Sequence, residues 1–345
     1  MRDQCTRRKM KLRIRDLAAN FPIFAAMTAR IGTLGVPIFM FHRVLPGAAS
    51  WSHPGMVTST DLFDAFLGFI TERFRVHTLE DLVLRWNEHR KNELPPCAIT
   101  FDDGWLDTFT HAYPLLMKHS VPATVFLPAH FIGTTRYFWQ DRLWLMLQDE
   151  TVREQAHDLL PKAARVFGWS ASPGIGAAHL QEFLTARSSL EAEAFVDWMQ
   201  NETKAESPTA RVFMNWHEVR EMRGSGIRFG SHSCNHLMLD LLKVEAARRE
   251  IEQSRQEIES ALGERIMSFC YPWRQRGSSV PRLVRDAGYL MAVTTKHATV
   301  RRISDAWCLP RIGICSSSLA NRFGSFGRNE INLQIARSVI RSYLR

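Results

Sequence analysis

Strand-length apolar runs alternate along this chain with longer segments whose apolar residues recur at helical spacing. The runs are Pro37–Phe41, Cys97–Phe101, Ala123–Leu127, Ile227–Gly230, Ile266–Tyr271, Leu290–Thr294 and Cys308–Ile314. Between them, Asp61–Phe74 and Thr78–His89 open on capping residues, Val244–Leu262 is rich in Glu and Arg and stops at Gly263, and Ser279–Ala287 stops at Gly288. Strands separated by helices pair in parallel, so the pattern predicts an α/β fold, either a barrel or an open doubly wound sheet. His42, Asp102, Asp103, His232, Pro272 and Arg311 all fall at or just after the C-terminal ends of different runs. A barrel gathers such ends on one face, whereas an open sheet spreads them apart, and the barrel is therefore expected.

The stretch from Tyr137 to Arg211 breaks this rhythm, with Trp139, Trp144, Trp169 and Trp198, apolar residues at helical spacing and a turn at Ser172-Pro173-Gly174. It reads as a helical insertion (137–211) in a barrel domain spanning 36–320, followed by a C-terminal helix over 321–345. Residues 1–35 read as a basic amphipathic leader helix. Leu17–Ala29 superficially resembles a secretory signal, but Asn20 and Pro22 interrupt it and Asp3 and Asp16 lie upstream. Arg30 and Gly32 stop it from spanning a bilayer, so residues 1–30 are expected to pack on the domain or touch an anionic membrane surface.

Composition adds bounds. At 345 residues and 45% hydrophobic, the chain can bury one large core or two modest ones. The net charge of +9 is concentrated mainly in the first fifteen positions, which gives no nucleic-acid patch. The six Cys show no Cys-x-x-Cys, and four lie in or beside apolar runs, which favours a reducing, cytoplasmic setting, peripheral to the inner membrane if the leader binds there.

The candidate chemistry sits on Thr100-Phe101-Asp102-Asp103-Gly104 and His232-Ser233-Cys234-Asn235-His236. One carboxylate and two imidazoles can hold a zinc-like ion with positions left for water and substrate, while the second carboxylate stays free to move a proton. Each motif follows a strand-like run, which separates it from a chance Asp-Asp-Gly turn or His pair.

With Phe269-Cys270-Tyr271-Pro272-Trp273, and in that order, these motifs resemble the polysaccharide deacetylase family, the NodB-like carbohydrate esterases. The match extends from about Pro37 to Ile314 outside the insertion. The resemblance implies a distorted (β/α) barrel of about seven parallel strands and hydrolysis of an N-acetyl group from a sugar. It implies Asp102 as general base and Asp103, His232 and His236 as ligands to a divalent ion, zinc foremost, with cobalt, nickel or iron(II) compatible. Two departures matter. Where many members carry Phe-Arg-Pro-Pro, this chain has Cys270 and Tyr271, and Arg311 is the candidate to hold the base. Many members end with a Leu-x-His that supplies the acid, whereas no His follows His297. His42, in Phe39-Met40-Phe41-His42-Arg43-Val44, resembles a Tyr/Phe-His-x-Val segment of one branch and is the candidate acid.

Trp105, Tyr271, Pro272 and Trp273 are candidate substrate contacts, with the Trp rings able to stack on sugar faces. The expected substrate is an N-acetylhexosamine in a glycan or a lipid-linked sugar of an envelope or exopolysaccharide pathway. Two other readings fit part of the pattern. Two His and one carboxylate also describe a non-haem iron oxygenase, against which the spare Asp102 argues, and a barrel without turnover would serve as a glycan-recognition module.

Overall fold

The computed structural model describes residues 34–47, 52–85, 93–169, 177–273, 279–301 and 304–344. The leader over 1–35, apart from its last two residues, and the Ser172-Pro173-Gly174 turn lie outside them.

Ten strands are present in the described residues. They are β1 (Ile38–Phe41), β2 (Arg43–Leu45), β3 (Val57–Ser59), β4 (Arg75–His77), β5 (Pro96–Phe101), β6 (Thr124–Leu127), β7 (Arg228–Ser231), β8 (Ser268–Cys270), β9 (Met291–His297) and β10 (Leu309–Gly313). The main sheet runs β1-β10-β9-β8-β7-β6-β5-β4, and β1 also pairs with β5, from Ile38 opposite Ala98 to Phe41 opposite Phe101. That pairing closes a ring of seven parallel strands, with β4 attached to the first half of β5. β2 and β3 form a separate parallel pair above β1 in sequence. The distorted seven-stranded barrel is therefore the fold.

Strands buried on both faces must be apolar throughout, and β5 and β6 are buried at every residue. Phe39, Phe41 and Phe101 meet Phe63 and Phe66 of helix α1 (Thr60–Arg73) edge-on or stacked, with centroids 5.1 to 5.7 Å apart. Such pairs contribute about 0.5–1.5 kcal/mol each beyond burial. α1 starts one residue before the expected position, with Ser59 capping Leu62, and α2 (Leu79–Leu84) is capped by Thr78.

After α3 (Tyr113–Lys118) and β6 comes the insertion: α4 (Trp139–Met146), α5 (Glu150–Val166), α6 (Ala177–Thr185) and α7 (Ser189–Thr203). These helices build a second core around Leu143, Met146, Leu180, Leu184, Phe195 and Met199. The outer layer of the barrel then continues with α8 (Trp216–Gly224), α9 (Val244–Leu262), α10 (Ser279–Asp286), α11 (Ser316–Leu319) and α12 (Arg328–Tyr343). Ile331, Ile335 and Val339 of α12 join the barrel core, so this last helix is part of the barrel wall. No helix among the described residues is long and apolar enough to cross a membrane.

Candidate metal centre and active site

Asp102 and Asp103 leave the end of β5 in opposite roles. The Asp102 backbone N–H donates to Phe41 O at 3.0 Å, continuing the β1 ladder, while Asp103 turns out of it at φ 72° and Gly104 follows at φ 64°. A Cβ at Gly104 would stand 2.9 Å from Ile132 Cδ1 in a left-handed conformation, so this turn needs glycine. Among the described residues six non-glycines have positive φ, and four of them, Asp103, Ser233, His236 and Trp273, belong to this site. Strain concentrated in this way is held by the surrounding bonds.

The second motif leaves β7 and is pinned from outside the barrel. Glu250 of α9 accepts from the backbone N–H groups of Cys234 (3.0 Å) and Asn235 (2.8 Å) and from Asn235 Nδ2 (2.7 Å). His236 N–H donates to Ser233 Oγ at 3.1 Å. The Glu/Arg-rich α9 is thus more than the solvated outer helix its composition suggests, because Glu250 is buried and organises the histidine loop.

These turns converge. Asp103 Oδ1 lies 3.3 Å from His232 Nε2 and 3.4 Å from His236 Nε2. The three side chains form a group whose ligand atoms all lie within 4.8 Å of one another. His232 Nδ1 donates to the Cys270 carbonyl at 2.8 Å, and despite burial Cys270 and the carboxylates of Asp103 and Asp102 raise its pKa well above the ordinary value, so Nε2, which faces Asp103, becomes a ligand by giving its proton up to an incoming ion. Burial pushes His236 down to about 3, against the attraction of Asp103, so its imidazole is neutral as a ligand must be. Asp103 is held well below the ordinary carboxylate range despite its burial, chiefly by His232 and His236. The donor set fits a zinc-like ion. Trp105 Nε1 donates to the other oxygen, Asp103 Oδ2, at 2.9 Å and orients the carboxylate.

Asp102 is held by a guanidinium of its own. Arg311 on β10 places Nη1 and Nη2 each 2.7 Å from its two oxygens, and both side chains are buried. Burial alone would raise the Asp102 pKa, but Arg311 more than offsets it and keeps the group ionised. The same guanidinium reaches Thr294 O, Thr100 Oγ1 and Cys270 Sγ. Asp102, His232 and Cys270 also lie close enough to count as ligands, but Arg311 already occupies Asp102 and Cys270. His42 Nε2 stands 3.9 Å from Asp102 Oδ2.

All of this opens into one cavity of about 310 Å³. His42, Asp102, Asp103, His232, His236 and Tyr271 line its barrel side, and Phe138, Gln140, Asp141, Trp144 and Gln181 come from the insertion and its approach. Two of the sequence candidates are placed differently from expectation. Trp105 borders the cavity but is 1% exposed, with Phe213 stacked on its ring at 4.6 Å and the Arg43 guanidinium over it at 4.2 Å, so protein covers the ring faces. Pro272 is buried and does not line the cavity. Tyr271 lines it but is buried, with its hydroxyl donating to Trp307 O at 2.9 Å. Trp273 is half-buried on the cavity wall, stacked on Trp139 with centroids 5.8 Å apart.

Sequence reading missed several participants. Arg43 and Asp107 form a buried ion pair beside Trp105. His53 lines the cavity and packs edge-on against Trp144 at 5.5 Å. Asp141 is the most consequential omission. It sits in the first turn of α4, and burial with the nearby charges of Asp103 and Asp107 raises it to about 7, against the pull of Arg43.

The sequence model of the polysaccharide deacetylases matches residues 89–160 and 184–292, just over half the chain. The chain belongs to the polysaccharide deacetylase family. It is thus a deacetylase of the hydrolase class. Among curated proteins it is similar to YxkH of Bacillus subtilis (strain 168), whose name assigns it to the polysaccharide deacetylases, with 19% identity over 84% of this chain and 75% of that one. Among solved structures, deacetylase PplD of Streptococcus pyogenes in complex with acetate superposes with a TM-score of 0.57 at 16% identity, covering 88% of this chain and 98% of that one. IcaB from Ammonifex degensii gives 0.53 at 17% identity over 88% and 97%. These likenesses show the deacetylase barrel.

Proposed function

We propose that this deacetylase removes the acetyl group from an N-acetylhexosamine in a glycan or glycolipid, using a divalent ion, zinc foremost, held by Asp103, His232 and His236. One observation carries the reading: the Asp103–His232–His236 group and a second carboxylate, Asp102, fixed by Arg311, share a single cavity. When bound, the ion would polarise the acetyl carbonyl and make a water more acidic. Asp102, ionised and adjacent, takes the proton from the attacking water, and the Arg311 fork keeps its oxygens oriented for that transfer. His42, beside Asp102, sits on the base's side of the cavity. The exposed face of Trp273 and the Gln140 Oε1, which has no hydrogen-bond partner, offer a sugar an apolar face and an acceptor. An oxygenase has no use for a held carboxylate beside its metal, and this favours hydrolysis.

Elemental analysis of purified protein beside Asp103→Ala, His232→Ala and His236→Ala tests the centre. One equivalent of zinc-like metal lost in all three folded variants, with acetate released from N-acetylated glycans by the wild type alone, is expected. Iron bound without acetate release, or no metal after reconstitution, would overturn the reading. The basic leader adds a proposal of location: cytoplasmic, resting on an anionic membrane and so beside a lipid-linked sugar. Liposome flotation of full-length protein against a chain starting at Gly35 decides it, and equal flotation would sink it.

A further inference from the structure

We infer that Asp141, carried by the insertion, is the proton donor to the amine leaving group, acting across the cavity from Asp102. The inference rests on the deacetylase reading above. Its first support is placement. Phe138, immediately before α4, stacks on the His236 ring with centroids 4.3 Å apart, and Trp139 stacks on Trp273. The insertion therefore docks the start of α4 directly over the candidate metal ligands. Asp141 follows Phe138 by three residues, which puts both on one face of the first turn, and both line the cavity. Asp102 rises from the end of β5 on the barrel side, so the two carboxyl groups enter the cavity from different walls.

The second support is chemical contrast. Hydrolysis of an amide needs one group that accepts a proton and one that gives it, and two carboxyl groups whose surroundings push them apart can divide that work. Asp102 has a dedicated guanidinium and is ionised. Among the described residues Asp141 forms no ion pair, and Arg43, whose charge acts on it, is bonded to Asp107 at 2.6 and 2.9 Å. Burial and the charges of Asp103 and Asp107 act against ionisation of Asp141, Arg43 acts for it, and His42 and His53 share the cavity. Burial leads this balance and biases Asp141 toward the protonated form that a general acid needs. A carboxylate in the first turn of a helix is ordinarily stabilised by the dipole, and that its pKa is nonetheless high reflects the burial. His42 Nε2 stands 3.9 Å from Asp102 Oδ2, and its substitution tests it as the competing donor.

The step balances. Asp102 takes a proton from water as the water oxygen bonds to the acetyl carbon and the carbonyl π pair moves to oxygen. On collapse that pair re-forms the carbonyl, the C–N pair leaves with nitrogen, and the Asp141 proton passes to that nitrogen. Amine and acetic acid result, Asp102 loses its proton to solvent, and Asp141 regains one from it.

A leaving group that needs no proton distinguishes this role from a structural one. Asp141→Asn, Asp141→Glu, His42→Asn and Asp102→Asn are compared with wild type on N-acetylglucosamine oligomers, by acetate release, and on 4-methylumbelliferyl acetate, whose phenolate leaves unaided. Metal content is measured for each. Asp141→Asn is expected to lose about 10²–10⁴-fold in amide hydrolysis while retaining its metal and near wild-type ester hydrolysis, with partial recovery in Asp141→Glu. Asp102→Asn should lose both activities. Equal loss of amide and ester hydrolysis in a metal-replete Asp141→Asn, or selective amide loss in His42→Asn instead, would overturn the assignment. Wild-type protein that cleaves neither probe would overturn the deacetylase reading itself.

Discussion

Arg311→Met removes the counter-charge that keeps Asp102 ionised and, in the proposed reaction, able to act as the base. Two contacts of 2.7 Å join the groups, and neither side chain is more than 2% exposed. Unit charges about 4 Å apart at an effective dielectric of about 20 attract by roughly 4 kcal/mol, and each 1.36 kcal/mol is tenfold in a protonation equilibrium. Losing Arg311 therefore favours protonated Asp102 by about a thousandfold, and burial, no longer opposed, pushes the same way. In a profile of kcat/KM against pH the acid limb moves up by roughly two pH units or more. Below its shifted limb the variant loses activity about tenfold for each pH unit and recovers it as the pH rises. Stability changes sign with it. In the wild type the lowered Asp102 pKa contributes stability above the ordinary value of 3.8, lost as pH falls through the folded value. In the variant the raised carboxyl costs stability as pH rises, and at neutral pH the broken buried pair costs about 3–5 kcal/mol. Arg311→Lys separates charge from geometry: it keeps the acid limb low but loses the two-pronged hold and with it part of kcat. The assays are initial rates across pH and thermal melts of metal-loaded protein. A folded Arg311→Met whose acid limb coincides with wild type would refute the reasoning.

Three further outcomes are expected. Trp105→Phe keeps the packing on Phe213 but loses the 2.9 Å bond to Asp103, so metal affinity in buffered-zinc titrations should fall about 10–100-fold with little change in melting; unchanged affinity would remove Trp105 from the positioning set. Gly230→Ala forces a Cβ to 2.6 Å from both Phe126 Cε1 and Ser268 Oγ inside the barrel, and urea denaturation should show a loss of about 1–3 kcal/mol. Phe195→Ala empties the middle of the insertion core between Phe167, Trp169 and Trp198, and should cost about 3–5 kcal/mol by the same measurement.

The seven barrel strands are legible because a strand covered on both faces leaves no room for polar residues, so each appears as an apolar run. β2, β3 and β4 are not. Each has three residues, and Arg43, Arg75 and His77 interrupt any alternation that could mark them. The same division runs through the site. Asp102, Asp103, His232 and His236 are readable because each lies within a few residues of a strand end, and barrel closure converts that local position into a shared one. Trp105 lies at such an end too, yet its direction depends on Phe213 and Arg43, far away in sequence, and they cover the ring. Glu250 reads as one more charge on an outer helix until the histidine loop is seen to descend on it. Asp141 is the extreme case. The pattern around it, Trp139, Leu143 and Met146, is that of a helix building its own core, and it does build one. Nothing in that pattern says that Phe138 will lie on His236. The chemistry of Asp141 is created by that one contact between segments almost a hundred residues apart, since it brings a carboxyl group from an otherwise separate core into the charge field of Asp103 and Asp107. A Phe138 substitution that undocks α4 should therefore act on amide hydrolysis as Asp141→Asn does, while Asp102 and its Arg311 partner, which belong wholly to the barrel, keep ester hydrolysis running.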